Sequence, residues 1–138
     1  MIDFFAVNDF ELQNTSGISS WISKIITNHN CSEGDITYIF CDDAYLHKLN
    51  IQFLDHDTLT DIISFDNSLG TQIHGEIYIS TERVIENSQI FKTSFLDELH
   101  RVMIHGILHF CGLKDKTEED AKVMRIAEDT ALQQRTFL

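Results

Sequence analysis

Basic side chains are scarce in this chain. Lys and Arg number 10 against 22 Asp and Glu, a formal net charge of −12, and phosphate backbones are usually held by clustered Lys and Arg, so the balance argues against an extended nucleic-acid surface. Long apolar runs are missing too. None approaches the roughly 20 residues of a membrane span, and the N-terminus lacks a basic region followed by a long apolar one. A soluble, unsecreted, cytoplasmic protein is expected. Cysteine occurs three times, at Cys31, Cys41 and Cys111, without CxxC spacing; this disfavours a disulfide framework and fits small, buried, reduced thiols. Proline is absent, which decides nothing about the fold. With no repeat, and 138 residues of which 43% are apolar, the chain has the size of one domain spanning 1–138.

The acidity is uneven. Residues 1–91 hold 3 basic and 14 acidic side chains, whereas 92–138 hold 7 and 8, so the C-terminal third is nearly neutral. Local contact with an anionic substrate is therefore still open there, through Lys92, Arg101, Lys114, Lys116, Lys122 or Arg125.

Apolar periodicity predicts the elements in order. Ile2 to Val7 reads as a strand, and Thr15 or Ser16 caps a helix with a stripe of Ile18, Trp21, Ile22, Ile25 and Ile26. Gly34 opens a second strand, Ile36 to Cys41. Asp42 or Asp43 caps a helix carrying Tyr45, Leu46, Leu49 and Phe53. A polar loop over 54–59 precedes a strand at 60–65, and a turn at Asn67, Ser68 and Gly70 leads to a strand at 74–79. Ser80 or Thr81 caps a helix with Val84, Ile85 and Ser88 inward. Ser94 with Asp97, and Thr117 with Asp120, have capping-box spacing for helices over 95–111 and up to about 134. The first of these is apolar nearly all round, which predicts a central helix. The fold class expected is α+β, with one small four-stranded mixed sheet and about five helices.

The chemistry concentrates at His105-Gly106-Ile107-Leu108-His109-Phe110-Cys111-Gly112-Leu113-Lys114-Asp115. Residues four apart share a helix face, so the imidazoles of His105 and His109 can converge on one ion. Gly112 is a plausible helix stop, after which Asp115 is free to return as a third ligand. Such a set leaves a coordination position open, as in catalytic sites. A His pair alone is weak evidence, because most such pairs are core or surface residues. A zincin protease needs Glu directly after the first His. Here that residue is Gly106, which disfavours proteolysis by that route.

These residues resemble the YbeY endoribonucleases, or rRNA maturation factors. The family's motif His-Gly-x-Leu-His-Leu-x-Gly-x-Asp-His has His105, Gly106, Leu108, His109 and Gly112 in register. A Leu-Asn block followed by Thr-Asp-Val-Leu-Ser-Phe is similar to Leu49-Asn50 and Thr60-Asp61-Ile62-Ile63-Ser64-Phe65, and Gly-Asp-Ile is similar to Gly75-Glu76-Ile77. Two departures stand out. Without a gap, Asp115 occupies the place of the third His ligand; with a one-residue slip, Lys116 would fall there and could not ligate, so the ungapped reading is favoured. Leu54 occupies the place of a family Arg suited to holding phosphate, a loss for which Arg101 or Lys114 could compensate.

The resemblance implies a single-strand-specific metallo-endoribonuclease acting in 16S rRNA maturation and ribosome quality control, through water activated by a metal on His105, His109 and Asp115. Zn²⁺ is the expected ion, although an Asp ligand widens the choice toward Mn²⁺, Fe²⁺ or Ni²⁺. Implied partners are single-stranded rRNA and the ribosome or its small subunit, with a monomeric chain and no membrane. Candidate substrate contacts are Arg101, Lys114, Thr60 and Asp61, the last two having capping or turn formation as the commoner use. His100 should lie off the ligand face, His56 and His74 should face solvent, and Glu76 is read as structural. The alternatives are a ribosome-associated metal-binding factor with little nuclease activity, and a metal-dependent hydrolase of another substrate.

Overall fold

A computed structural model describes residues 1–138. The elements, in chain order, are β1 (Ile2–Ala6), α1 (Thr15–Asn28), β2 (Ser32–Cys41), α2 (Asp43–Leu54), β3 (Ile62–Asp66), β4 (Gln72–Ser80), α3 (Thr81–Phe91), α4 (Phe95–Phe110) and α5 (Glu118–Gln133). The four strands form one sheet in the order β1-β2-β4-β3. The β1/β2 and β2/β4 pairs are parallel, and the β3/β4 hairpin is antiparallel. The expected α+β class and mixed sheet are what the chain adopts. Strand side chains alternate between the two faces. Ile36, Tyr38 and Phe40 of β2 and Ile73, Ile77 and Ile79 of β4 therefore share one face, and all six are at most 1% exposed.

That face receives α1 and α4. Ile18, Trp21, Ile22, Ile25 and Ile26 all belong to the main core with Leu99, Met103, Ile104, Ile107 and Leu108 of α4. Each such side chain, fully buried, favours folding by about 1.5–3 kcal/mol. The Tyr38 hydroxyl donates to the Met103 carbonyl at 2.8 Å, tying β2 to the middle of α4. Gly106 lets the helix lie close: a Cβ there would stand 2.9 Å from Ile77 Cδ1 and 3.2 Å from Ile62 Cδ1. A side chain at position 106 would thus point into the sheet. On the opposite face a smaller cluster of Cys41, Leu46 and Ile63 seats α2.

Some local expectations are corrected. Asn14, in the left-handed conformation, precedes α1 and makes no capping hydrogen bond, so neither Thr15 nor Ser16 is the cap. Ile85 is 46% exposed, because α3 turns only Thr81, Val84 and Ser88 inward. Tyr45 and Phe53 are also exposed; α2 buries Leu46 and Asn50 and uses its aromatics on the sheet surface, with Tyr45 stacked on Tyr78 and Phe53 packed edge-to-face on Phe65. His74 does not face open solvent. Its Nδ1 accepts from the Asp35 amide at 3.0 Å while its Nε2 is buried. Among the thiols, Cys41 is buried and Cys31 and Cys111 are partly buried, all unpaired. No helix is long and apolar enough to cross a membrane.

Candidate metal centre

Ser94 opens α4 by accepting from the Asp97 amide at 3.1 Å, as the capping-box spacing predicts. Along the helix, Glu98, Arg101, His105 and His109 follow at steps of three, four and four, so they line one face. All four border a cleft of about 530 Å³, whose other walls include Leu54, Thr60 to Ser64, Phe91, Asp115, Arg125 and Glu128. The size is that of a ligand site.

The end of α4 is built by a Schellman motif. The Gly112 amide donates to the His109 carbonyl at 3.0 Å and the Leu113 amide to the Leu108 carbonyl at 3.0 Å. These two bonds occupy carbonyls that a helix end would otherwise leave open. They require a positive φ after the cap, and Gly112 has φ 105°. The turn also lays the Leu113 carbonyl 2.9 Å from His109 Nδ1 and carries Asp115 back over the helix. Asp115 Oδ2 then lies 3.4 Å from His105 Nε2 and 3.3 Å from His109 Nε2. Ligand atoms of His105, His109 and Asp115 all fall within 4.8 Å of one another.

The donor set fits a divalent ion. Neutral imidazole ligates through one nitrogen and commonly donates from the other to a carboxylate or a carbonyl. His109 Nδ1 has the Leu113 carbonyl, and His105 Nδ1 has Glu128 Oε2 at 2.7 Å. Both Nε2 atoms are left for the ion beside the carboxylate. Burial alone would lower the His105 pKa, but the hydrogen bond and charge of Glu128, with Asp115 and Asp61, raise it above the usual value. In the ion-free protein His105 therefore holds its proton more firmly, and an ion must displace it.

Two acidic residues here escaped the sequence reading. Glu128, on α5, also accepts from Arg101 Nη1 at 2.9 Å, so that helix anchors both the ligand and the cation. Nothing near Glu128 in the chain marks it, because its pairing with His105 exists only after α5 folds across α4. Glu98 is 6% exposed and borders the cleft. Burial, with the charge of Asp61, pushes its carboxyl above the usual range against Arg101 and Arg125. Its spacing of seven from His105 was a readable sign of a shared face.

The candidate substrate contacts divide. Thr60 and Asp61 border the cleft; Thr60 Oγ1 donates to the Ile62 carbonyl at 3.2 Å, and Asp61 accepts from Asn87 at 3.4 Å. Burial raises the Asp61 pKa, with the His105 charge opposing. Arg101 reaches the cleft too, but its guanidinium is engaged by Glu128 and by Asp129 at 2.6 Å. Lys114 is exposed and outside the cleft wall. His100 is 2% exposed and packs on Trp21 and Phe137, away from the ligands. His56 is exposed and outside the cleft wall. Glu76 is exposed and accepts from the Tyr78 hydroxyl.

Comparison with known proteins shows the family. The Endoribonuclease YbeY family profile matches residues 6–136. The chain is 58% identical over 128 residues to an Endoribonuclease YbeY of Christiangramia forsetii, covering 93% of this chain and 90% of that one. It is 56% identical over 132 residues to one from Flavobacterium psychrophilum, covering 96% and 94%. The solution structure of a Thermotoga maritima protein superposes with a TM-score of 0.69 at 25% identity, over 96% of this chain and 87% of that one. With residues 6–136 matched by the family profile and relatives more than half identical over nearly the whole length, the chain belongs to the YbeY endoribonuclease family.

Proposed function

We propose that the chain is one metal-dependent endoribonuclease domain, specific for single strands, that matures 16S rRNA and takes part in ribosome quality control in the cytoplasm. The observation that carries this reading is the convergence of His105, His109 and Asp115, with both Nδ1 atoms already engaged. A divalent ion, Zn²⁺ first, would be held by the two Nε2 atoms and the Asp115 carboxylate. When bound it would supply Lewis acidity toward a phosphodiester oxygen and make water acidic enough to attack near neutral pH. The protein's own residues do the rest. Glu128 and the Leu113 carbonyl fix the imidazole orientations, and Arg101 fixes Glu128. No Ser or Cys nucleophile is needed, and position 106 cannot hold a base because it faces Ile77 and Ile62. Unpaired thiols fit a reducing compartment, and single-stranded rRNA presented by the small ribosomal subunit is the expected substrate of a monomeric chain.

A second reading, a ribosome-associated metal-binding factor with weak nuclease activity, draws on Leu54, which lines the cleft where the family commonly has Arg. One experiment separates them. Purified protein is given a single-stranded and a duplex RNA of the same sequence, with chelator, with Zn²⁺ or Mn²⁺ restored, and as His109→Ala. Cleavage of the single strand that chelator abolishes, metal restores and the variant lacks is expected. Full activity in His109→Ala, or no activity with any metal, would sink the nuclease reading.

A further inference from the structure

The cleft poses an electrostatic problem for any RNA. Its walls carry Asp61, Glu98, Asp115 and Glu128 but only Arg101 and Arg125 as cations. Arg101 is not available, since two carboxylates hold its guanidinium. Position 54, also in the wall, is an aliphatic side chain 44% exposed. Arg125 differs from both. It is exposed on α5 and borders the cleft, and its guanidinium takes part in no ion pair or hydrogen bond. It stands three residues before Glu128, hence on the same helix face as the residue that orients His105. A free guanidinium beside a metal centre is suited to a phosphate oxygen.

The same cleft wall holds an aromatic ring that is left equally unused. Phe91 ends α3, is 60% exposed and borders the cleft, and it stacks on no other aromatic ring. Every nucleobase offers a flat face, and such stacking is favourable without any charge. It also requires a base that is not already stacked in a helix, which only unpaired strand supplies. In a protein of net charge −12, an uncharged contact of this kind answers the shortage of cations.

We infer that Arg125 and Phe91 form the strand-holding subsite of this cleft, Arg125 taking a backbone phosphate and Phe91 stacking an unpaired base. The inference rests on the nuclease reading, and gives it a physical source of single-strand preference.

The test uses the full chain loaded with Zn²⁺ and a fluorescent, cleavage-resistant probe, a 2′-O-methyl phosphorothioate octamer, titrated at several salt concentrations. Arg125→Gln is expected to weaken binding several-fold and to make the slope of log K against log salt shallower by about 0.7, the value of one single-strand phosphate contact. Arg125→Lys should restore the slope. Phe91→Ala should weaken binding roughly tenfold with the slope unchanged, and Phe91→Trp should retain affinity. Both residues are exposed, so thermal melts of the variants should match the parent.

On cleavable RNA, Arg125→Gln should raise KM and leave kcat largely intact. The subsite is overturned if Arg125→Gln keeps the parental slope, if Phe91→Ala binds like the parent, or if the slope moves with Lys114→Gln instead. Parental cleavage, measured in parallel with and without chelator, is independent of these outcomes. Its absence would overturn the nuclease reading, while the binding data would still decide the subsite.

Discussion

At the scale of single residues, the feature with the clearest consequence is the carboxylate behind His105. Glu128 Oε2 sits 2.7 Å from His105 Nδ1, and its other oxygen takes Arg101. Replacing it by Gln keeps the shape but removes the charge that orients the ring and raises its basicity. Partners of this kind are typically worth 10–100-fold in metal affinity, so Glu128→Gln should bind Zn²⁺ about that much more weakly in competition with a chromogenic chelator. The pH dependence has a definite sign. Since Glu128 raises the His105 pKa, the parent must give up a more firmly held proton, and its advantage over Glu128→Gln should narrow as pH falls. Equal affinities at pH 8 would remove Glu128 from the centre. Asp115 itself was legible by spacing and by ligand chemistry, whereas Glu128 was not, because no local pattern encodes a contact 23 residues away.

At the scale of elements, the turn after α4 links helix termination to metal binding. Gly112 was readable as a helix stop from its place between the last apolar turn and a polar run. That the turn would also dock Leu113 on His109 was not, since the same Schellman bonds could end any helix. Ala at Gly112 would face no steric contact, yet its φ of 105° disfavours any side chain. The expected cost is about 1–2 kcal/mol in urea unfolding, with a loss of Zn²⁺ affinity as the Leu113 carbonyl leaves His109 Nδ1. Gly70 is the control: its φ of 62° also favours glycine, and it too has open space around it. Gly70→Ala should lose comparable stability and keep full metal affinity. If both variants bind metal alike, the turn only ends the helix.

The same scale shows why strands and most caps were read well, the α1 cap excepted, and helix faces less so. Ser80, Ser94 and Thr117 cap through bonds within three residues of themselves, and so are written locally. Ile85 and Phe53 had the right apolar character, but their exposure was fixed by which helix face the sheet happened to cover.

Over the whole molecule, the C-terminal segment closes the core against α1 and α4, and this couples stability to pH. Trp21 Nε1 donates to the Ala131 carbonyl at 2.8 Å, Phe137 packs on Trp21, and His100 lies against both rings. Arg135 Nη1 donates to His100 Nδ1 at 2.8 Å, which requires that nitrogen to be unprotonated. Burial first, then the Arg135 charge, lowers the His100 pKa from 6.5 to about 4, with Asp97 opposing. The unfolded chain therefore takes up a proton near pH 6.5 while the folded one resists until about 4, so stability falls with pH across that window. The shift corresponds to roughly 3 kcal/mol.

Asp61 and Glu98 act in the other direction, because their raised pKa values make the folded state gain as they protonate. The His100 contribution must therefore be isolated by difference. His100→Gln can still accept from Arg135 but does not titrate, so metal-free urea unfolding at pH 7.5, 6 and 5 should show a flatter acid limb for the variant than for the parent. Parallel curves would mean that His100 is not the neutral, Arg135-bound ring that closes this end of the core.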